Sequence, residues 1–327
     1  MPGRTLASFD IGFVNDRGIY AFSDRSNRSL DLFDAASATF IGRVPGFSGY
    51  DPAKGFSSAG PNGVVAVGSR EFWAGNGDST LKVVDLRSKS IVASIPTGGR
   101  KRVDEMTYDA RDHLVIAVNN ADKPPFVSFV STRTRRVIGK LVLTRATDGA
   151  EQPAWDPATG LVYLSIPVLD EVKADGAVAV IDPRTHRLEK FMPVHACMPA
   201  GLAVGPHGHL LVGCSDDAVA AGFAPKSLIL NARTGAIVAT IRQVGGSDEV
   251  WYDPKAHRYY LAAGGFPSGP VLGVVNANTD RWIENLPTGS HAHSVAADPR
   301  TGRVFVPIQA DPKAGVCPAG CVAVFAP

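Results

Sequence analysis

The sequence has no apolar run approaching the roughly 18–20 residues that a membrane-spanning helix requires, so no membrane span is expected. It has no excess charge of either sign: 33 Lys and Arg stand against 31 Asp and Glu, a formal +2, with no block of five like charges. No nucleic-acid groove or polybasic membrane patch is expected on that basis. The nucleophile elbow, the P-loop, the dinucleotide fingerprint and the haem-attachment Cys-x-x-Cys-His are also missing, which removes the common serine hydrolases, nucleotide enzymes and c-type cytochromes. Cysteine is scarce, with four residues. Cys317-Pro-Ala-Gly-Cys321 can close a small loop, and Cys197 and Cys214 remain as a second pair, with buried thiols or a metal site as other readings. Pairing points to an oxidising compartment, periplasmic or secreted. The chain opens Met1-Pro2-Gly3-Arg4 without an apolar leader, so export requires that one was removed.

What the chain does contain is 45% apolar residues, enough for a globular core, with 34 Gly and 24 Pro scattered rather than clustered in 327 residues. That distribution suits many tight turns between short strands and points to an all-β protein. The turn phrase Asp156-Pro-Ala-Thr-Gly-Leu-Val-Tyr-Leu returns as Asp298-Pro-Arg-Thr-Gly-Arg-Val-Phe-Val, and more loosely from Asp253 and Asp109. A second set of hairpin phrases follows, beginning at Val83, Val180, Leu230 and Val275, with polar turns between β-branched or aromatic flanks. Each unit reads as four short strands. Aligning Pro199-Ala-Gly-Leu-Ala-Val with Pro61-Asn-Gly-Val-Val-Ala marks the start of the first strand at Asp10, Asn62, Asp104, Glu151, Ala200, Asp248 and His293, at intervals of 52, 42, 47, 49, 48 and 45 residues.

Units of about 40–50 residues arranged radially are propeller blades. The expectation is a single domain over residues 1–327: a seven-bladed β-propeller of four-stranded antiparallel blades, in which the N- and C-terminal strands share one blade. The last unit stops after Val322-Ala-Val-Phe, and residues near Arg4-Thr-Leu-Ala7 are expected to supply its fourth strand. The phrases Pro199-Ala-Gly-Leu-Ala-Val, Leu161-Val-Tyr-Leu and Phe72-Trp-Ala-Gly-Asn76 resemble those of the YVTN-type (YncE-like) propeller repeats. The resemblance covers nearly the whole chain and implies the fold, since that family hosts enzymes, binding proteins and proteins of no assigned activity. The chain departs from the family's usual neutral phrase by writing Val103-Asp-Glu-Met, Ala150-Glu-Gln-Pro and Ser247-Asp-Glu-Val.

In a propeller the first strand of each blade borders the channel, so the seven aligned positions are expected to form a ring at one mouth. Asp10, Asp104, Glu151, Asp248 and His293, with Asn62 beside them, crowd carboxylates that must raise one another's pKa or recruit a cation. Hard oxygen ligands with one or two imidazoles suit Ca²⁺, Mg²⁺ or Mn²⁺ better than Zn²⁺ or Fe²⁺. The ring is expected to be too wide for opposite blades to share an ion, leaving neighbours such as Asp248, His293 and Asp10. Water-filled polar channels without a ligand, and acid–base chemistry without a metal, are the other readings. His293, His291, His195, Glu249 and Glu105 are the candidate proton carriers, the two Glu turning inward only if the strand register shifts by one. Arg100-Lys-Arg102 either neutralises the ring, holds an anionic group or is a solvated loop. His207-Gly-His209 reads as a turn on the opposite face, and the four Trp as inter-blade packing. Long loops over 166–177, 215–227 and 309–320 are expected to roof a pocket. The functional expectation is a monomeric small-molecule enzyme working at the channel mouth by metal-assisted hydrolysis (lactonase-like) or β-elimination (lyase-like). The alternative is a non-catalytic exported propeller that binds a ligand or protein through its loop face.

Overall fold

The computed structural model describes residues 2–326. Seven antiparallel sheets form the blades, each in simple up-and-down order: residues 12–45, 64–96, 106–142, 153–195, 199–241, 250–287 and 296–325. Their inner strands neighbour one another in sequence order, and that of blade 1 (Gly12–Val14) also lies against that of blade 7 (Ala296–Asp298), so the ring closes. The seven-bladed fold is as the repeat spacing predicts.

The repeated turn phrase has a direct physical cause. Its leading Asp folds its carboxylate back onto the chain: Asp156 accepts from the Ala158 N–H (2.8 Å), Asp298 from Arg300 (3.1 Å), Asp253 from Lys255 (2.8 Å) and Asp109 from Arg111 (2.9 Å). The fifth residue then takes a left-handed φ, which is why Gly160 and Gly302 stand there and why His257 and His113 are tolerated with φ of 50° and 58°.

The core lies between blades. Seven apolar clusters each join one blade to the next, for example Trp73, Val83 and Ile95 of blade 2 against Val115, Ala117 and Val130 of blade 3. The last cluster joins blade 7 to blade 1 through Phe305, Tyr20 and Phe22, and takes in Leu6 and Phe9. Trp73 is buried as inter-blade packing predicts, whereas Trp282 on the outer strand of blade 6 is 39% exposed.

The termini differ from expectation. Six blades have four strands and blade 7 has three, with Cys321–Phe325 as its outer edge. Met1 lies outside the described residues. The segment before Phe9 does not pair with that edge. Its Leu6 exchanges backbone hydrogen bonds with Ala319 (3.0 Å) and Ala310 (2.8 Å) in the loop of blade 7, while Ala7 and Ser8 donate to the Ser26 hydroxyl of blade 1 (2.9 Å each). Burying Leu6 and Phe9 at the seam draws this segment inward and away from the outer edge, so the ring is closed by packing rather than by a shared strand.

Both cysteine pairs are disulfides, Cys197–Cys214 and Cys317–Cys321, and there is no free cysteine. Among the described residues no helix is long and apolar enough to cross a membrane.

Candidate functional site

The ring positions occupy one equivalent backbone place. Asp10, Asn62, Asp104, Glu151 and Asp248 each donate their N–H to a carbonyl of their own blade's second strand, at Ser23, Gly75, Val118, Ser165 and Ala262. The residue after each ring position can then bond across to the next blade: Gly63 to Asp104 O (3.1 Å), Gln152 to Ala200 O (3.3 Å) and Glu249 to His293 O (3.1 Å). This approach is close enough that a Cβ on Gly63 would stand 2.4 Å from the Asp104 carbonyl oxygen. The blades are therefore held together at the ring by backbone, which fixes where the ring side chains stand.

At every ring position but Ala200 the chain has not yet entered a pleated strand, so period-two alternation does not operate there, and the choice between one residue and the next is not forced. Asp10, Glu151, Ala200, Asp248, His291 and His293 line a mouth cavity of about 680 Å³. Glu105, Gln152 and Glu249 line a second cavity further down the channel, with no shift of register. The expectation that one set faces inward only when the other turns away is corrected on this ground. Asp104 and Asn62 are buried behind the mouth wall, at 4% and 0% exposure. His195 is at the end of the outer strand of blade 4, exposed and paired with Asp175 at 3.0 Å, and does not border the cavity.

Two arginines organise the mouth. Arg25, 4% exposed, forms an ion pair with Asp10, bonds the Asn62 side chain through Nε (3.1 Å) and Nη2 (2.6 Å), and donates to the Phe9 carbonyl (3.2 Å). Arg102 pairs with Asp104 at 2.5 Å. Of the basic run, Arg102 thus neutralises the ring, while Arg100 and Lys101 lie on the surface as N–H donors to Asp122. Arg25 went unrecognised in the repeat alignment. It follows directly on a second strand, where the other blades carry Asn76, Asn120, Pro167, Ser215, Gly264 and Gln309, so a lone charge against six neutral residues was the available signal.

His293 stacks on Phe9 with ring centroids 4.5 Å apart. Its Nδ1–H donates to the His291 carbonyl (2.7 Å), which leaves Nε2, 3.5 Å from Asp10 Oδ1, as the nitrogen that gains or loses a proton. Burial works against its charge, but Asp10 and Asp248 outweigh it and raise the pKa. Burial likewise pushes Asp10 up, and Arg25 with His293 more than reverses this, holding its carboxyl below the ordinary range. Burial, then Asp104 and Asp248, push Glu151 up to about 8. Burial pushes Asp248 up to about 6 against the pull of His293, with Asp216, Asp10 and Asp104 adding to the rise.

Two of the four carboxylates expected to hold a divalent ion are paired with basic side chains, Asp10 with Arg25 and His293 and Asp104 with Arg102, while Glu151 and Asp248 face the cavity. Among the described residues no three His, Cys, Asp or Glu side chains converge as metal ligands. Of the roofing loops, the one expected over 215–227 carries a short helix, Asp216–Ala220, which brings Asp216 and Asp217 to the cavity. The Cys197–Cys214 disulfide ties the base of this loop to the lead-in of blade 5, where Ala200 leaves the wall without a polar head.

No protein-family model matches the chain, and no curated protein matches it. Among solved structures, a chain of the Kuenenia stuttgartiensis hydrazine synthase matches with a TM-score of 0.78 and 12% identity, covering 100% of this chain and 98% of that one. A chain in the crystal structure of a mitotic checkpoint complex matches with a TM-score of 0.71 and 14% identity, over 97% and 89%. At these identities the likeness is one of fold.

Proposed function

We propose that the protein is an acid–base hydrolase of small neutral esters or lactones, acting at the channel mouth and exported to an oxidising compartment. The observation that carries this reading is that Glu151 and Asp248 border one cavity with pKa values of about 8 and about 6. At pH 7 the first holds a proton and the second has lost its own, the division of roles that general acid–base catalysis requires. Asp248 takes a proton from water as the water oxygen attacks the carbonyl carbon, and Glu151 gives its proton to the leaving oxygen as the acyl–oxygen bond breaks. Product release and proton exchange with solvent return both groups to their starting states. His293, held between Asp10 and the His291 carbonyl, sets the field around Asp248. An anionic substrate is disfavoured because the carboxylates of Asp10, Asp148, Asp216, Asp217 and Asp248 face the cavity against Arg25 and Arg102. The ion pairs at Asp10 and Asp104 support a reaction that needs no metal. The two disulfides support export.

The test is a hydrolysis screen of neutral lactones and esters with the wild type, Glu151→Gln and Asp248→Asn. Turnover that falls roughly 10²–10⁴-fold in each variant is expected. A wild type that binds such compounds at the mouth without hydrolysing any of them would overturn the enzyme reading in favour of the binding protein.

A further inference from the structure

Below the mouth one side chain reaches from blade 4 to blades 5 and 6. Gln152 of blade 4 places its Oε1 between the N–H groups of Leu202 (2.7 Å) and Val250 (3.2 Å), and its Nε2–H bonds reach the Val250 carbonyl (3.2 Å) and Glu249 (3.5 Å). This side chain lines a separate cavity of about 340 Å³, which runs along the inner strands and shares no lining residue with the mouth.

The walls of the lower cavity are apolar, aliphatic residues of the inner strands alternating with the aromatic Phe13, Tyr108, Trp155, Trp251 and Tyr252, the Phe13 and Trp251 rings meeting edge to face at 5.0 Å. Two carboxyl groups, Glu105 and Glu249, border its inner end, and no Lys or Arg lines it. Glu249 accepts from the Val295 N–H at 3.2 Å. Glu105 is 5% exposed, and its carboxyl has no hydrogen-bond donor among the described residues. An unpartnered carboxylate aimed into an aromatic cavity has two ways to be satisfied: a proton or a cation. Burial, followed by the fields of Glu249, Glu151, Asp248 and Asp104, drives Glu105 well above the carboxylate range, as expected where positive charge is missing.

We propose that this lower cavity is a second ligand site, distinct from the mouth, and that it takes a small organic cation with an ammonium or quaternary ammonium head. A bare metal ion would leave the aromatic walls unused, and a neutral apolar ligand would leave Glu105 unpaired. A methylated ammonium uses both, its charge facing Glu105 and Glu249 and its methyl groups lying against the ring faces. The volume accommodates a head group of that size with a short tail leading toward the opposite face.

The experiment uses the intact protein and choline as probe, with 3,3-dimethylbutan-1-ol, its uncharged isostere, as control. Binding is followed by calorimetry and by tryptophan fluorescence, since Trp155 and Trp251 face the site. Choline should bind and change the emission, and the isostere should bind at least tenfold more weakly. Glu105→Gln keeps the shape and removes the charge, so it should fold and lose at least tenfold in choline affinity, while Asp217→Asn, on the mouth loop, should retain it. Equal binding of choline and its isostere, unchanged affinity in Glu105→Gln, or binding of Ca²⁺ but not choline would each overturn the proposal. Because Glu105 and Glu249 take no part in the mouth chemistry, failure here leaves the hydrolase reading standing, and the reverse holds.

Discussion

Gln152 hydrogen-bonds Val250 two blades away, through both ends of its amide, at 3.2 Å each. A ring of seven blades was expected to keep all but neighbouring blades apart, yet one amide spans blades 4 and 6 because the inner strands approach closely just below the mouth. Replacing Gln152 with Ala leaves the Leu202 and Val250 N–H groups without their acceptor, at roughly 1–3 kcal/mol for each group that water does not re-satisfy. Urea unfolding should show the loss, and a Gln152→Glu variant, which keeps the acceptor but adds a third carboxylate beside Glu105 and Glu249, should be no better than Ala.

Arg25 and Asp10 make the second testable pair. Arg25→Met removes the partner of a buried carboxylate, and loss of one member of a buried pair costs about 3–5 kcal/mol. Adding Asp10→Asn to that variant should recover a large part of the loss. A double mutant no more stable than Arg25→Met would show that the pair does not couple.

The mouth should make stability depend on pH in a definite direction. Glu151 at about 8 and Asp248 at about 6 both lie above their ordinary values, so the folded protein binds protons that the unfolded chain releases. Their contribution is complete below the unfolded pKa near 4 and is lost as pH rises, through about 6 for Asp248 and about 8 for Glu151. Urea midpoints should therefore fall between pH 5 and pH 9, and Glu151→Gln should flatten the upper part of that fall while leaving the lower part.

Of the two disulfides, Cys197–Cys214 closes the longer loop, 17 residues against 4. The chain-entropy account gives about 3 kcal/mol for the first and about 2 kcal/mol for the second. Removing the first pair by Ser substitution should lower the melting temperature more than removing the second, and should also alter the mouth, since that disulfide anchors the loop carrying Asp216 and Asp217.

Leu6 tests how the ring is closed. It is 1% exposed in the cluster between blades 7 and 1, so Leu6→Ala should cost about 2–5 kcal/mol. A substitution on a paired outer strand facing solvent would cost far less, so a change under about 0.5 kcal/mol would contradict closure by packing.

The blade count, the ring positions and both disulfide pairs were legible in the sequence because they rest on local rules. An Asp that bonds its own turn, a left-handed fifth residue and a short alternating strand each occupy a few consecutive residues, and their repetition at 42–52 residues leaves few architectures. Tertiary structure decided everything that depends on residues far apart in the chain. Arg25 reaches Asp10 and Asn62 only because blades 1 and 2 are adjacent, and Gln152 bonds Val250 only because blade 6 is within its reach. Leu6 is drawn into the seam between the first and last blades, which leaves blade 7 with three strands. The protonation of Glu151 and Asp248 likewise follows from burial and from charged neighbours 32–238 residues away, for a charge responds to distance in space, and residue order carries no measure of that distance until the ring has closed.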